Sequence, residues 1–177
     1  MTKDQELVID NVFRSLQLMS YYELYYHFDF SVQRVKNFNE IMTRKNEELT
    51  PDKVREYEKV LKNNIGFDCE TEAKKFPMRP KYAMAKIKPK DLIKYQTLIN
   101  HMIATYLVVA GKTLRENYRF NSDQLREWWE KIREFSYLYV CNKNESLTDE
   151  HIIKYFNQEC KLPIYFEGDE QNDTINC

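Results

Sequence analysis

Glycine and proline are scarce in this chain, with three and five respectively among 177 residues. Arrays of β-hairpins draw heavily on glycine- and proline-containing turns, so the shortage disfavours them and points to long helices. Long apolar runs are missing too. No window approaches the roughly 20 apolar residues of a membrane-spanning helix, so no membrane partner is expected. Cysteine has no paired motif. Cys69, Cys141, Cys160 and Cys177 form neither a Cys-x-x-Cys pair nor a zinc-ligand spacing with His27, His101 or His151. With no secretory leader at the start of the sequence, reduced thiols and a cytoplasmic location are the expectation.

Catalytic signatures are lacking as well. The sequence has no Gly-x-Ser-x-Gly, Walker A, His-Glu-x-x-His or glycine-rich dinucleotide motif. Its three histidines have no cysteine or carboxylate at ligand or triad spacing, and Glu47 and Glu48 are ordinary helix-end charges. The expectation is therefore a protein that is not an enzyme and takes no metal or cofactor.

What the chain does have is rings: thirteen tyrosines and ten phenylalanines. They suit a core built from large aromatic side chains, with some left for a contact surface. Net charge is only −1, but its distribution is uneven. Lys74 to Lys90 holds seven basic residues and no acid, and Glu167 to Cys177 holds four acids and no base.

Local signals set out the helices in order. Thr2-Lys-Asp-Gln5 has the spacing of a capping box, and Val8, Val12, Phe13, Leu16 and Met19 follow at helical intervals to about Tyr26. Tyr21, Tyr22, Tyr25 and Tyr26 spread around that helix, so some of these rings must lie away from the main core. His27 to Phe30 reads as a turn, and Ser31 caps a second helix with Val35, Phe38, Ile41 and Met42 inward. Arg44 to Glu48 reads as a polar connection. Thr50-Pro51-Asp52 then starts a third helix ending near Asn63 to Gly66. Pro77, Pro80 and Pro89 argue against a helix through the basic stretch. Asp91 is the predicted cap of a long fourth helix to about Asn117, with Gly111 allowing close packing or a bend. A fifth helix is expected from Ser122 to about Val140, and a sixth after Thr148.

The order of features recurs. A shift of 90 positions places Phe28 on Tyr118, Phe30 on Phe120, Val35 on Leu125 and Phe38 on Trp128. After an eight-residue insertion the shift becomes 98, and Asn46-Glu-Glu-Leu-Thr50 meets Asn144-Glu-Ser-Leu-Thr148. Self-similarity of this kind bears directly on architecture. The predicted fold is all-α: two similar three-helix lobes from a divergent tandem repeat, joined by a basic linker. The N-terminal lobe spans 1–70, the linker 71–91, the C-terminal lobe 92–164 and an acidic tail 165–177. The two lobes are expected to pair their apolar faces about an approximate two-fold axis.

Three features are candidates for function. Lys74, Lys75, Arg79, Lys81, Lys86, Lys88 and Lys90, with Phe76 and Tyr82 among them, could follow a phosphate backbone or dock on an acidic protein face. The rings could stack on bases or fill a partner's recess. Trp128 and Trp129 are adjacent and point to different sides of one helix. Trp128 aligns with inward Phe38, which leaves Trp129 as the expected partly exposed interface anchor. The helix–turn–helix corner from Tyr22 to Phe38 presents Gln33, Arg34, Lys36 and Asn37, side-chain types that read base edges in the major groove. The corresponding face of the second copy carries Asp123, Gln124, Arg126 and Glu127, whose acids would repel phosphates. A packing corner without nucleic-acid contact is the plain alternative for both copies.

The segment Phe28-Asp-Phe-Ser-Val-Gln-Arg-Val resembles small all-helical proteins of Firmicutes prophages and mobile elements. In these a helix ends in an aromatic-x-Phe turn before an Arg/Lys-bearing helix. Tyr118 to Leu125 matches more loosely, and neither the basic linker nor the acidic tail is covered. The resemblance implies a phage or mobile-element setting in a bacterial host cell and brings no catalytic residues. By analogy it suggests an inhibitor of host defence, with Cas9 bound to guide RNA as the suspected partner, as for type II anti-CRISPR proteins. Two other readings are a DNA-binding regulator of a mobile element and a homodimer without a nucleic-acid role.

Overall fold

The structure is a computed structural model describing residues 2–76 and 89–141 together with Gln158; for residues 7, 11, 89–94 and 137–141 it describes the backbone. Every regular element among the described residues is helical, and the protein is all-α. The helices are α1 (Lys3–Tyr26), α2 (Val32–Glu47), α3 (Pro51–Ile65), α4 (Cys69–Lys74), α5 (Pro89–Tyr118) and α6 (Ser122–Cys141).

The starts follow from side chains that satisfy the first free backbone N–H groups. At α1 the capping box is complete. The Gln5 amide donates to the Thr2 hydroxyl at 3.3 Å, and the Thr2 amide donates to Gln5 Oε1 at 2.8 Å. Ser31 accepts from the Arg34 amide and Thr50 from the Lys53 amide, each at 3.3 Å. Asn121 and Gln124 repeat the reciprocal box at α6, at 2.9 and 3.0 Å.

Three helix ends share one design. The residues Asp29, Gly66 and Arg119 take left-handed angles, with φ of 52°, 64° and 59°. In each case the next residue is a phenylalanine whose amide reaches back six positions. Phe30 donates to the Leu24 carbonyl, Phe67 to Leu61 and Phe120 to Leu114, at 2.9, 3.2 and 3.2 Å. The same three rings, Phe30, Phe67 and Phe120, are buried. The turn thus folds a ring under the helix that has just ended.

Three boundaries differ from the sequence reading. Helix α2 continues through Arg44 to Glu47, which had the composition of a polar connection. Its polar residues have tertiary partners: the Lys45 ammonium meets Glu116 Oε2 at 3.1 Å and lies 5.7 Å from the Tyr57 ring centre. Helix α4 lies where the linker was expected to begin, because Asp68 caps it through the Thr71 amide at 3.0 Å and Cys69 and Ala73 are buried. Helix α5 starts at Pro89, before Asp91, consistent with proline's fixed φ suiting a first helical turn. The predicted sixth helix after Thr148 and the acidic tail lie outside the described residues.

The buried apolar residues of both halves form one cluster. Helices α1 and α5 run through it side by side in the same direction. Contacts along them step upward together: Tyr95 hydroxyl to Asp4 Oδ2 at 3.4 Å, the Phe13 and Tyr106 rings at 5.6 Å, and Tyr106 hydroxyl to Ser20 Oγ at 2.8 Å. Beyond their ends, the rings of Phe28 and Phe120 meet at 5.1 Å. Helix α6 lies on α1, with Tyr22 and Phe135 rings 4.9 Å apart, and α2 lies on α5, with Phe38 and Tyr118 rings 6.1 Å apart. Helix α3 packs on α5 at Gly111, where a Cβ would lie 3.3 Å from Leu61 Cδ1.

Candidate functional site

The first two turns of α2 carry the polar face of the α1–α2 corner. Gln33, Arg34 and Asn37 are exposed and Lys36 is half-buried. Gln33 Nε2 donates to Asn37 Oδ1 at 2.9 Å, so these two amides partly satisfy each other. The Arg34 guanidinium carbon sits 4.1 Å from the centre of the Phe30 ring and 5.5 Å from that of Tyr118. The Tyr118 hydroxyl donates to the Arg34 backbone carbonyl at 3.2 Å. Stacking on aromatic faces orients a guanidinium while leaving its in-plane N–H donors open. This geometry suits recognition of a planar or tetrahedral oxyanion, such as a carboxylate or phosphate.

The matching face of α6 is different in charge. Asp123, Gln124, Arg126 and Glu127 are exposed, and Arg126 Nη2 donates to the Ile65 carbonyl at 3.4 Å. Arg126 therefore ties α6 to the end of α3.

The basic stretch begins at exposed residues. Lys74 ends α4, and Lys75 follows with its ammonium 2.7 Å from Glu72 Oε1. Phe76 is not available to a partner as expected: it is 6% exposed and stacks on Trp129 at 4.9 Å and 23°. Trp129 is likewise only 1% exposed, which overturns its assignment as an exposed anchor. The physical reason is that α6 is covered on two sides. Trp128 enters the main core, and Phe76, brought up by α4, covers the neighbouring indole. Arg79, Lys81, Tyr82, Lys86 and Lys88 lie outside the described residues, and the backbone of Lys90 belongs to the first turn of α5.

Two charged clusters were not read from the sequence. In one, Lys112 and Lys45 converge on the Glu116 carboxylate at 2.8 and 3.1 Å, with the Tyr57 ring beside both ammoniums. Burial raises the Glu116 pKa, but the hydrogen bonds from Lys112 and Lys45 outweigh it and the net shift is downward. The Lys112–Glu116 spacing was visible as a helical pair; the arrival of Lys45 was not. In the other, the buried Glu23 carboxylate lies 3.3 Å from His27 Nε2, so one histidine does have a carboxylate within reach. At α4, the Lys62 ammonium and the Thr71 amide hold the Asp68 carboxyl down at about 2. Burial raises the Cys69 thiol far above its ordinary range. Among the described residues no three His, Cys, Asp or Glu side chains are grouped so as to hold a metal ion, and no helix is long and apolar enough to cross a membrane.

Compared with protein families, curated proteins and solved structures, the chain matches none.

Proposed function

We propose that this chain is a non-catalytic binding protein of phage or mobile-element origin that inhibits a host defence nuclease, with guide-loaded Cas9 as the partner. The observation that supports the reading is how the described residues flank the basic stretch. It leaves the core at Phe76, which is pinned on Trp129, and rejoins the helices at Pro89. The cations Arg79, Lys81, Lys86 and Lys88 fall between these two points with no acid among them. A cationic span tethered at both ends suits a phosphate backbone or an acidic groove that handles nucleic acid. Inhibition would then be steric and electrostatic, by occupying a surface that the nuclease needs for its target. The test is co-elution with guide-loaded Cas9 and reduced cleavage of matched DNA. Charge reversal at Lys81, Lys86 and Lys88 should weaken inhibition while leaving the thermal midpoint in place. Failure to co-elute together with undiminished cleavage overturns the reading.

A second reading is favoured by one specific observation, the stacked Arg34 guanidinium beside exposed Gln33 and Asn37. It is that of a DNA-binding regulator using α2 as a recognition helix. It predicts saturable duplex binding without any protein partner, weakening steeply with salt. Arg34→Ala with Asn37→Ala should abolish the shift of a labelled duplex; an unchanged shift eliminates this reading.

A further inference from the structure

Glu23 is an ionisable group in a place that needs none. Its side chain is 3% exposed, one turn before the end of α1. Ninety positions on, at the corresponding point of α5, stands Thr113, also buried, whose hydroxyl donates to the Val109 carbonyl at 2.8 Å. The neutral side chain satisfies itself within its own helix. The carboxylate does not: among the described residues, Glu23 Oε2 has no hydrogen bond of good geometry. His27 Nε2 stands 3.3 Å from it, and that imidazole is 44% exposed. His27 is also the C-cap of α1 and directly precedes Phe28, whose ring packs on Phe120.

We infer that Glu23 and His27 form a proton-linked latch that holds the second half of α6 on the end of α1, closed when the buried carboxyl carries a proton and weakened when it does not. The half-exposed imidazole lies between that carboxyl and solvent, 3.3 Å from Oε2. Losing the proton leaves a charge in a nearly dry contact, which destabilises that contact.

The surrounding charges come from α6. Lys131 and Glu134 both act on Glu23, but Lys131 is bonded to Glu134 at 3.0 Å, so neither neutralises the buried carboxylate directly. On α1 itself the facing group is His27. No charged group of α2 or α5 among the described residues acts on Glu23. Burial is the largest influence and pushes its pKa up to about 7, with Lys131 lowering and Glu134 raising it. A carboxyl whose folded-state pKa lies above its unfolded value gives its stabilisation in full below about 4.5. That stabilisation is lost as pH rises through about 7.

The full-length chain tests this by thermal unfolding between about pH 4 and about pH 8, a window that takes in both ends of the shift from 4.5 to about 7. Wild type should lose several degrees of midpoint across the window. Glu23→Gln, which mimics the protonated form, should remove most of that slope and unfold higher than wild type near pH 8. Equal slopes in the two proteins overturn the latch. Carboxyl-carbon NMR of wild type needs no variant: a Glu23 titration centred near neutrality supports it, and one centred at an ordinary carboxylate value overturns it. Amide protection in α6 that falls with rising pH more than protection in α2 places the loosening at the proposed contact; uniform loss across both helices overturns the local assignment.

Discussion

The rings of Phe30 and Tyr118 lie 4.8 Å apart, and those of Phe28 and Phe120 lie 5.1 Å apart. Phe28 and Tyr118 are equivalent positions under the 90-residue shift, as are Phe30 and Phe120, so each corner gives the other what it receives. Phe30 and Phe120 also meet each other, edge to face at 6.0 Å and 87°.

The two buried rings should therefore matter alike. Phe30→Ala and Phe120→Ala are each expected to cost about 3–5 kcal/mol in urea unfolding. A double-mutant cycle of Phe30→Leu with Tyr118→Leu should show a coupling of about 0.5–1.5 kcal/mol. Additive losses would mean that the ring contact contributes nothing of its own.

The left-handed residues at the corners are open to improvement. Arginine carries a Cβ penalty at φ 59°, whereas aspartate tolerates φ 52° better. Arg119→Gly should raise stability by about 1 kcal/mol, and Asp29→Gly by less. Arg119→Val should lower it. Matched denaturant midpoints for all three variants would remove the backbone argument.

Gly111 offers a test with a change of sign. A Cβ there meets Leu61 Cδ1 at 3.3 Å, close enough that the leucine must give way. In wild type, Gly111→Ala gains helix propensity of about 1 kcal/mol and loses a similar amount to crowding. In a Leu61→Ala background the crowding is gone, and the same substitution should stabilise by about 1 kcal/mol. Gly111→Leu in wild type should cost about 1–3 kcal/mol. The change of sign is read from the thermal midpoints of wild type, Gly111→Ala, Leu61→Ala and the double variant.

Trp129 should behave as a core residue. Trp129→Ala is expected to cost about 3–5 kcal/mol. Trp129→Phe should cost much less, because an aromatic ring stays against Phe76 and, among the described residues, the indole N–H has no hydrogen-bond partner to lose. A Trp129→Ala protein of wild-type stability would contradict the packing seen here.

The residues that were legible in the sequence carry their information locally. Thr2, Ser31 and Thr50 each cap a helix through a bond to a backbone amide three positions away, so a few residues suffice to predict the start. Val35, Phe38 and Met42 are buried because helical periodicity places them on one face. Gly66 marks a left-handed helix end by composition alone. Asp29 and Arg119 adopt the same conformation without a glycine, so the backbone at those two corners could not be read from residue type.

The candidate site was less legible, for a reason visible at the two tryptophans. Sequence places adjacent residues on different sides of α6, and that much holds. It does not say how many sides are covered. Helix α4, six residues long, brings Phe76 onto Trp129 and removes both rings from solvent. In the same way, Arg34 was visible as a cation on a polar face, but its stacking partner Tyr118 arrives from the other half of the chain.

By itself, then, the sequence determined the helical class and the capped starts and inward faces of α1, α2 and α3, because caps and periodicity act over three or four residues. Tertiary structure alone decided which second faces are buried, which cations are held on rings, and which carboxylate is stranded beside His27. Those outcomes depend on contacts between residues scores of positions apart, and no local signal encodes which distant surface will arrive.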